Sequence, residues 1–114
     1  MARASTSTAL DIFRITVISL VRRPGPDLTA RQLGVLLTCF DEGEPQTVRG
    51  LAAHLRVSKP AITRAVDRLS QFSFVQRKPD LRDRRSILVQ VTPHGTSFVR
   101  ELRGYLFAAA RTKA

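Results

Sequence analysis

The sequence predicts a mainly α-helical fold that carries a small β-hairpin, and three observations between Thr47 and Thr92 predict it. Apolar residues recur at helical spacing in two short runs, first Leu51, Ala52 and Leu55, then Ile62, Val66 and Leu69, with a polar turn between them. Two strand-like segments follow: Phe74 and Val75 open one, and in the other Ile87, Val89 and Val91 alternate with Leu88 and Gln90. The loop joining them, residues 79–85, holds Arg82, Arg84 and Arg85 with Asp80 and Asp83. Two crossed helices followed at once by an arginine-tipped hairpin make a winged helix-turn-helix.

The elements can be justified in chain order. Residues 1–7 are small and polar, which predicts a frayed start. From Thr8 to Arg22 the pattern is helical but apolar nearly all round: Leu10, Phe13, Val17 and Leu20 form one stripe, and Ile12, Ile15 and Ile18 occupy neighbouring or opposite positions. Such a helix is usually buried from two sides, which predicts that part of it meets a second subunit; the plainer reading is a helix deep in its own core. Pro24 and Pro26 around Gly25 stop it.

Thr29 with Gln32 three residues later is a capping-box pattern, and Leu28 can pack on Leu33 as a hydrophobic staple. Leu33, Leu36, Leu37 and Phe40 then predict the core stripe of a helix from Leu28 to Phe40. The acidic run Asp41, Glu42 and Glu44, with Gly43 and Pro45, ends it and is a poor surface to set against phosphate. A short third strand is expected over residues 46–48 before Thr47 caps the first helix of the pair.

Ser58 stands where an N-cap belongs, and Pro60 falls among residues whose N–H has no helical partner. With Ile62, Val66 and Leu69 turned inward, Lys59, Thr63, Arg64 and Arg68 project outward, opposed only by Asp67. That is the composition of a helix that reads a DNA groove. Arg56 occupies a turn position where such motifs favour Gly or Asn, so the turn either avoids positive φ or carries a small strain. Beyond the hairpin, Thr92 and Pro93 form a second N-cap with a first-turn proline, opening a helix over residues 93–112 whose apolar members are Phe98, Val99, Leu102, Tyr105, Leu106 and Ala109.

The run LAAHLRVSKPAITRAVDRL, then FVQRKPDLRDRRSILVQVTPHG, resembles the MarR family of bacterial transcription regulators, including that family's Asp-x-Arg wing signature, placed here at Asp80, Leu81 and Arg82. The resemblance covers roughly residues 28–95. It implies a mostly helical dimer, built through its N- and C-terminal helices, that binds a pseudo-palindromic operator and is often released by a small ligand or by oxidation. By the same pattern Arg82 is the wing tip and Asp80 orients the loop through ion pairing. Family members usually continue into an additional helix that interlocks with the partner, for which residues 93–114 leave no room.

Composition supports a polyanionic partner. The chain has 114 residues, 19 basic against 9 acidic, and a net charge of +10. Residues 56–85 hold nine of the basic residues against three acidic ones, a surplus of six in about a quarter of the chain. A single domain is expected, with residues 8–22 and 93–112 flanking a winged core at 28–92. No secretion signal or membrane-length apolar run is present, so a cytoplasmic protein is the default.

Binding, not catalysis, is the expected chemistry. His54 and His94 have no serine–acid partner and no second ligand at metal spacing, so no cofactor is expected. Cys39 has no basic neighbour in sequence and reads as a buried, inert thiol. The expected recognition-helix set is Ser58, Lys59, Pro60, Thr63, Arg64 and Arg68: Thr63 and Arg64 toward base edges, Ser58, Lys59 and Arg68 toward phosphates. The wing set is Asp80, Arg82, Asp83, Arg84 and Arg85, its arginines directed to the minor groove, although the two aspartates could equally serve only to solubilise the loop. Double-stranded DNA is the expected partner of a dimeric, sequence-specific regulator, with any effector unknown. A non-specific architectural DNA binder and a winged protein-interaction module stand as the alternatives.

Overall fold

In the computed structural model the backbone is described for residues 2–113 and the side chains for residues 8–112. The order of elements is α1 (Ala2–Arg22), α2 (Ala30–Glu42), β1 (Gln46–Thr47), α3 (Val48–Leu55), α4 (Lys59–Gln71), β2 (Val75–Pro79), β3 (Ile87–Val91) and α5 (Pro93–Lys113). This is the mainly helical architecture with a small sheet that the sequence predicts. The chain groups into two compact units, one of residues 28–99 and one of residues 1–27 with 100–114.

The first of these units contains the winged helix-turn-helix. Its helices start where side-chain oxygens replace missing backbone acceptors. Thr29 accepts from Gln32 N at 3.1 Å while Gln32 Oε1 accepts from Thr29 N at 3.0 Å, a complete capping box. Thr47 accepts from Gly50 N at 2.8 Å, Ser58 from Ala61 N at 3.2 Å and Thr92 from Gly95 N at 3.0 Å. All four caps stand at the positions the sequence signals.

The three-stranded antiparallel sheet has the order β1-β3-β2, with Val75 opposite Val91, Arg77 opposite Val89 and Gln46 also opposite Val89. Alternation in β3 overstates its burial. Only Val89 is enclosed; Leu88, although flanked by both neighbouring strands, points to the opposite face and is half-buried, and Ile87 at the outer end is 41 % exposed.

Ile62, Val66 and Leu69 of α4 are fully enclosed, as their spacing predicts, where α4 packs on α3, whose Leu51 and Ala52 are buried as well. In α2 the stripe differs from expectation. The buried line is Val35, Leu36 and Cys39, and Leu33, Leu37 and Phe40 are half-buried. The face that meets α4 and β3 runs along the smaller side chains, which a count of the larger ones passes over.

In the other unit, α1 begins at Ala2 rather than Thr8, since residues 2–7 contain neither proline nor glycine to interrupt a helix. Leu10, Phe13, Val17 and Val21 lie exposed along it, and Leu106 and Phe107 lie exposed on α5. Arg23, just beyond α1, donates to Glu101 of α5 through Nε at 2.8 Å and Nη2 at 3.2 Å, and Tyr105 donates to the same carboxylate. The hydrogen bond from Arg23, then that from Tyr105, hold the Glu101 carboxyl below its usual range.

Candidate nucleic-acid interface

The turn between α3 and α4 is closed by Arg56 in the left-handed region, φ 58° and ψ 45°, so the sequence's departure from Gly or Asn is met by strain and not by a different turn. Val57 N donates to Ala52 O at 3.1 Å, and Ser58 then starts α4 with Pro60 as the second helical residue. Lys59, Pro60, Thr63, Arg64, Asp67 and Arg68 all lie on the exposed face of this helix. They do not form one uniform row. Arg68 lies with its guanidinium carbon 4.9 Å from the centre of the Phe72 ring and donates to Gln71 Oε1 at 2.8 Å, which folds it onto the end of its own helix.

Arg64 faces a shallow groove shared with Thr29, Arg31 and Gln32 at the start of α2. Sequence reasoning missed Arg31 because nothing in its neighbourhood of the chain announces that the α2 N-terminus flanks α4. It missed Arg77 for a related reason. From β2 the Arg77 guanidinium pairs with Asp67 and donates to Thr63 O at 3.3 Å, so one arginine pins the wing stem to α4.

The wing loop is built from two consecutive Asp-x-Arg turns. Asp80 Oδ1 accepts from Arg82 N at 2.9 Å, and Asp83 Oδ1 accepts from Arg85 N at 3.0 Å and, more loosely, from Arg85 Nε at 3.4 Å. Asp80 therefore orients the loop through a backbone N–H and not through the ion pair expected of it. The carboxylate here substitutes for a backbone acceptor in a tight turn. Asp83 also accepts from Ser86 Oγ at 3.3 Å. Its carboxyl lies below the usual range, first because of the Arg85 N–H, with the Arg49 charge adding to the effect. Neither aspartate is a mere solubiliser. Arg82, Arg84 and Arg85 remain exposed, and Leu81 beside Arg82 is 93 % exposed.

Between α3, α4 and the wing base lies a cleft of about 220 Å³ lined by residues that include Arg49, Lys59, Thr63, Arg77 and Arg85. Arg49 is a third functional candidate that sequence reasoning missed. Elsewhere His54 and His94 are exposed, the His94 ring 5.1 Å from that of Phe74. Among the described residues no His, Cys, Asp and Glu group could hold a metal ion. Cys39 is 3 % exposed, and burial pushes its thiol up to about 11.

A family profile described as the MarR family matches residues 28–87, the segment that contains α2 to the wing. The chain belongs to the MarR family. It is thereby a winged helix-turn-helix transcription regulator and not an enzyme. It is similar to an HTH-type transcriptional regulator of Mycobacterium tuberculosis and to an uncharacterized HTH-type transcriptional regulator of Mycobacterium leprae, each 32% identical over 102 residues, or 90% of this chain and 71% of the relative. Among solved structures it resembles wild-type MarR of E. coli in its apo form, 25% identical, with a TM-score of 0.74 over 99% of this chain and 80% of that one. It also resembles the transcriptional regulator BldR of Sulfolobus solfataricus, 30% identical, with a TM-score of 0.65 over 90% of this chain and 74% of the other. No helix among the described residues of this MarR family regulator is long and apolar enough to cross a membrane.

Proposed function

We propose that this MarR family regulator is a dimeric, sequence-specific repressor working in the cytoplasm, which inserts α4 into the major groove and its wing into the adjoining minor groove. The observation that carries the reading is the two-sidedness of α4: Ile62, Val66 and Leu69 are wholly enclosed, while Lys59, Thr63 and Arg64 stand exposed beside an arginine-tipped wing. Arg64 is assigned to a guanine edge, where a bidentate pair discriminates by roughly 1–3 kcal/mol. Thr63 is the second base reader. Lys59 and the Ser58 hydroxyl are assigned to phosphates, Pro60 to the approach of the helix start, and Arg82, Arg84 and Arg85 to the wing contact, with Asp80 and Asp83 shaping the loop; Arg68, expected to reach phosphate, is instead folded onto Gln71 and Phe72 and is left out of the contact set.

The dimer is assigned to α1 and α5. Leu10, Phe13 and Val21 are each more than 60 % exposed, and Phe107 is 59 % exposed. Apolar side chains left in water along one helix favour a partner surface. The competing reading, a binder of DNA backbone without sequence choice, is favoured by the net charge of +10.

Selection from a random duplex pool at near-physiological salt separates the two. An enriched inverted repeat with half-sites about 34–36 Å apart is expected. Retention of DNA without a shared sequence would establish the backbone binder instead.

A further inference from the structure

The cleft between α4 and the wing holds a concentration of positive charge that base reading does not require. Arg49, Lys59, Arg77 and Arg85 line it, with no carboxylate among the lining residues. Arg77 is answered by Asp67. Arg85 is 3.4 Å from Asp83 with its side chain 84 % exposed, and Arg49 and Lys59 make no ion pair among the described residues. Like charges brought together around so small a space repel each other, so the arrangement favours a bound anion. The cleft wall also includes Val48 and Arg49, the first two residues of the eight-residue α3, whose backbone N–H groups lie in the turn that lacks helical acceptors.

Geometry identifies the anion. Where a helix occupies a major groove and a loop enters the minor groove beside it, the sugar–phosphate strand that separates the two grooves runs between helix and loop. In this protein that passage is the cleft. We propose that the cleft seats a DNA backbone phosphodiester, with Arg49 of α3 as a phosphate-binding residue opposite Lys59 and Arg85. This rests on the major-groove and minor-groove docking proposed above and adds to it a contact outside both the recognition helix and the wing. Arg77, held by Asp67, forms the floor of the seat and keeps its two sides at a fixed spacing.

The test uses the full chain and a duplex retained in the selection, titrated over a series of potassium chloride concentrations. Arg49 is exposed, so Arg49→Gln is expected to leave the urea midpoint unchanged. Its affinity is expected to fall about tenfold, and the slope of log affinity against log salt to become shallower by about 0.9, on selected and scrambled duplexes alike. Arg111→Gln, which removes the same charge from α5, is expected to keep the wild-type slope. Replacing single phosphates with methylphosphonate is expected to reveal one position per half-site that weakens the wild type about tenfold and weakens Arg49→Gln, which keeps only the Lys59 and Arg85 contacts, by markedly less.

A wild-type slope for Arg49→Gln, or equal sensitivity of both proteins at every phosphate, would overturn the seat while selective binding and the docking mode stand. A wild-type protein without preference for the selected duplex would overturn the docking mode, and the seat with it.

Discussion

Replacing Gly95 with alanine tests the packing that joins the wing stem to α5. A Cβ on Gly95 would lie 2.1 Å from Phe74 O and 3.0 Å from both Phe74 C and Val91 Cγ1. Carbon and carbonyl oxygen normally approach to about 3.3 Å, so the chain must part by roughly 1 Å. The carbonyl that must move already accepts from Thr92 N at 3.0 Å, and Thr92 also donates to Ser73 O and accepts from Gly95 N. Overpacking costs about 1–3 kcal/mol and the strained hydrogen bond about 1 more, against about 1 kcal/mol gained from alanine in a helix. The net expectation is a loss of about 1–3 kcal/mol, or roughly 4–12 °C in melting temperature. Gly104, in the same helix with nothing within 4 Å of its Cβ position, provides the control: Gly104→Ala is expected to be neutral or slightly stabilising. Calorimetry and urea titration of the two variants measure the difference. A Gly95→Ala protein as stable as Gly104→Ala would refute the close approach.

Three further outcomes follow from local geometry. Arg56→Gly is expected to raise the urea unfolding free energy by about 0.5–1 kcal/mol, because relief of a left-handed conformation costing about 1–2 kcal/mol outweighs the greater backbone entropy glycine loses; an unchanged midpoint would mean the guanidinium makes a compensating contact. Cys39 is expected to resist thiol reagents at pH 8 until urea unfolds the chain, because a thiol with a pKa near 11 and 3 % exposure offers almost no accessible thiolate; prompt native labelling would contradict its burial. Asp67→Ala and Arg77→Ala are expected to be coupled by about 0.5–1 kcal/mol in a double-mutant cycle, a modest value because the side chains are 54 % and 34 % exposed, and additive losses would remove the link between wing and helix.

What the sequence made legible was local. The caps at Thr29, Thr47, Ser58 and Thr92 each depend on a hydrogen bond within three residues, and the Ile62, Val66 and Leu69 stripe on one helix's own periodicity. The features that escaped are long-range. Arg77 meets Asp67 ten residues away, and Gly95 meets Phe74 across the sheet, contacts that no spacing rule encodes. The buried line of α2 was displaced because two small residues, Val35 and Cys39, mark its true inner face. Of the proposed site, α4 and the wing were visible as composition. Arg31 and Arg49 became candidates only when the folded chain brought α2 and α3 beside them.

Charge counting also misjudges what such a surface does. The nine basic residues between Arg56 and Arg85 would give a salt slope of roughly −8 per subunit if each neutralised one phosphate. They are not equivalent. Arg77 is committed to Asp67, so it releases little counterion when DNA binds, and Arg68 lies over Phe72 and is directed back along its helix. Arg64, if it reads a base edge, contributes discrimination more than phosphate neutralisation. Arg49, outside the nine, contributes in their place. The expected slope is therefore short of the count, near −6 per subunit, and its composition is testable because Arg77→Ala should leave it nearly unchanged while Lys59→Ala should flatten it by about one unit. A slope of −8, with every arginine contributing equally, would mean that DNA dissolves the internal pairs of the interface, and that the folded protein does not present a preformed surface to its operator.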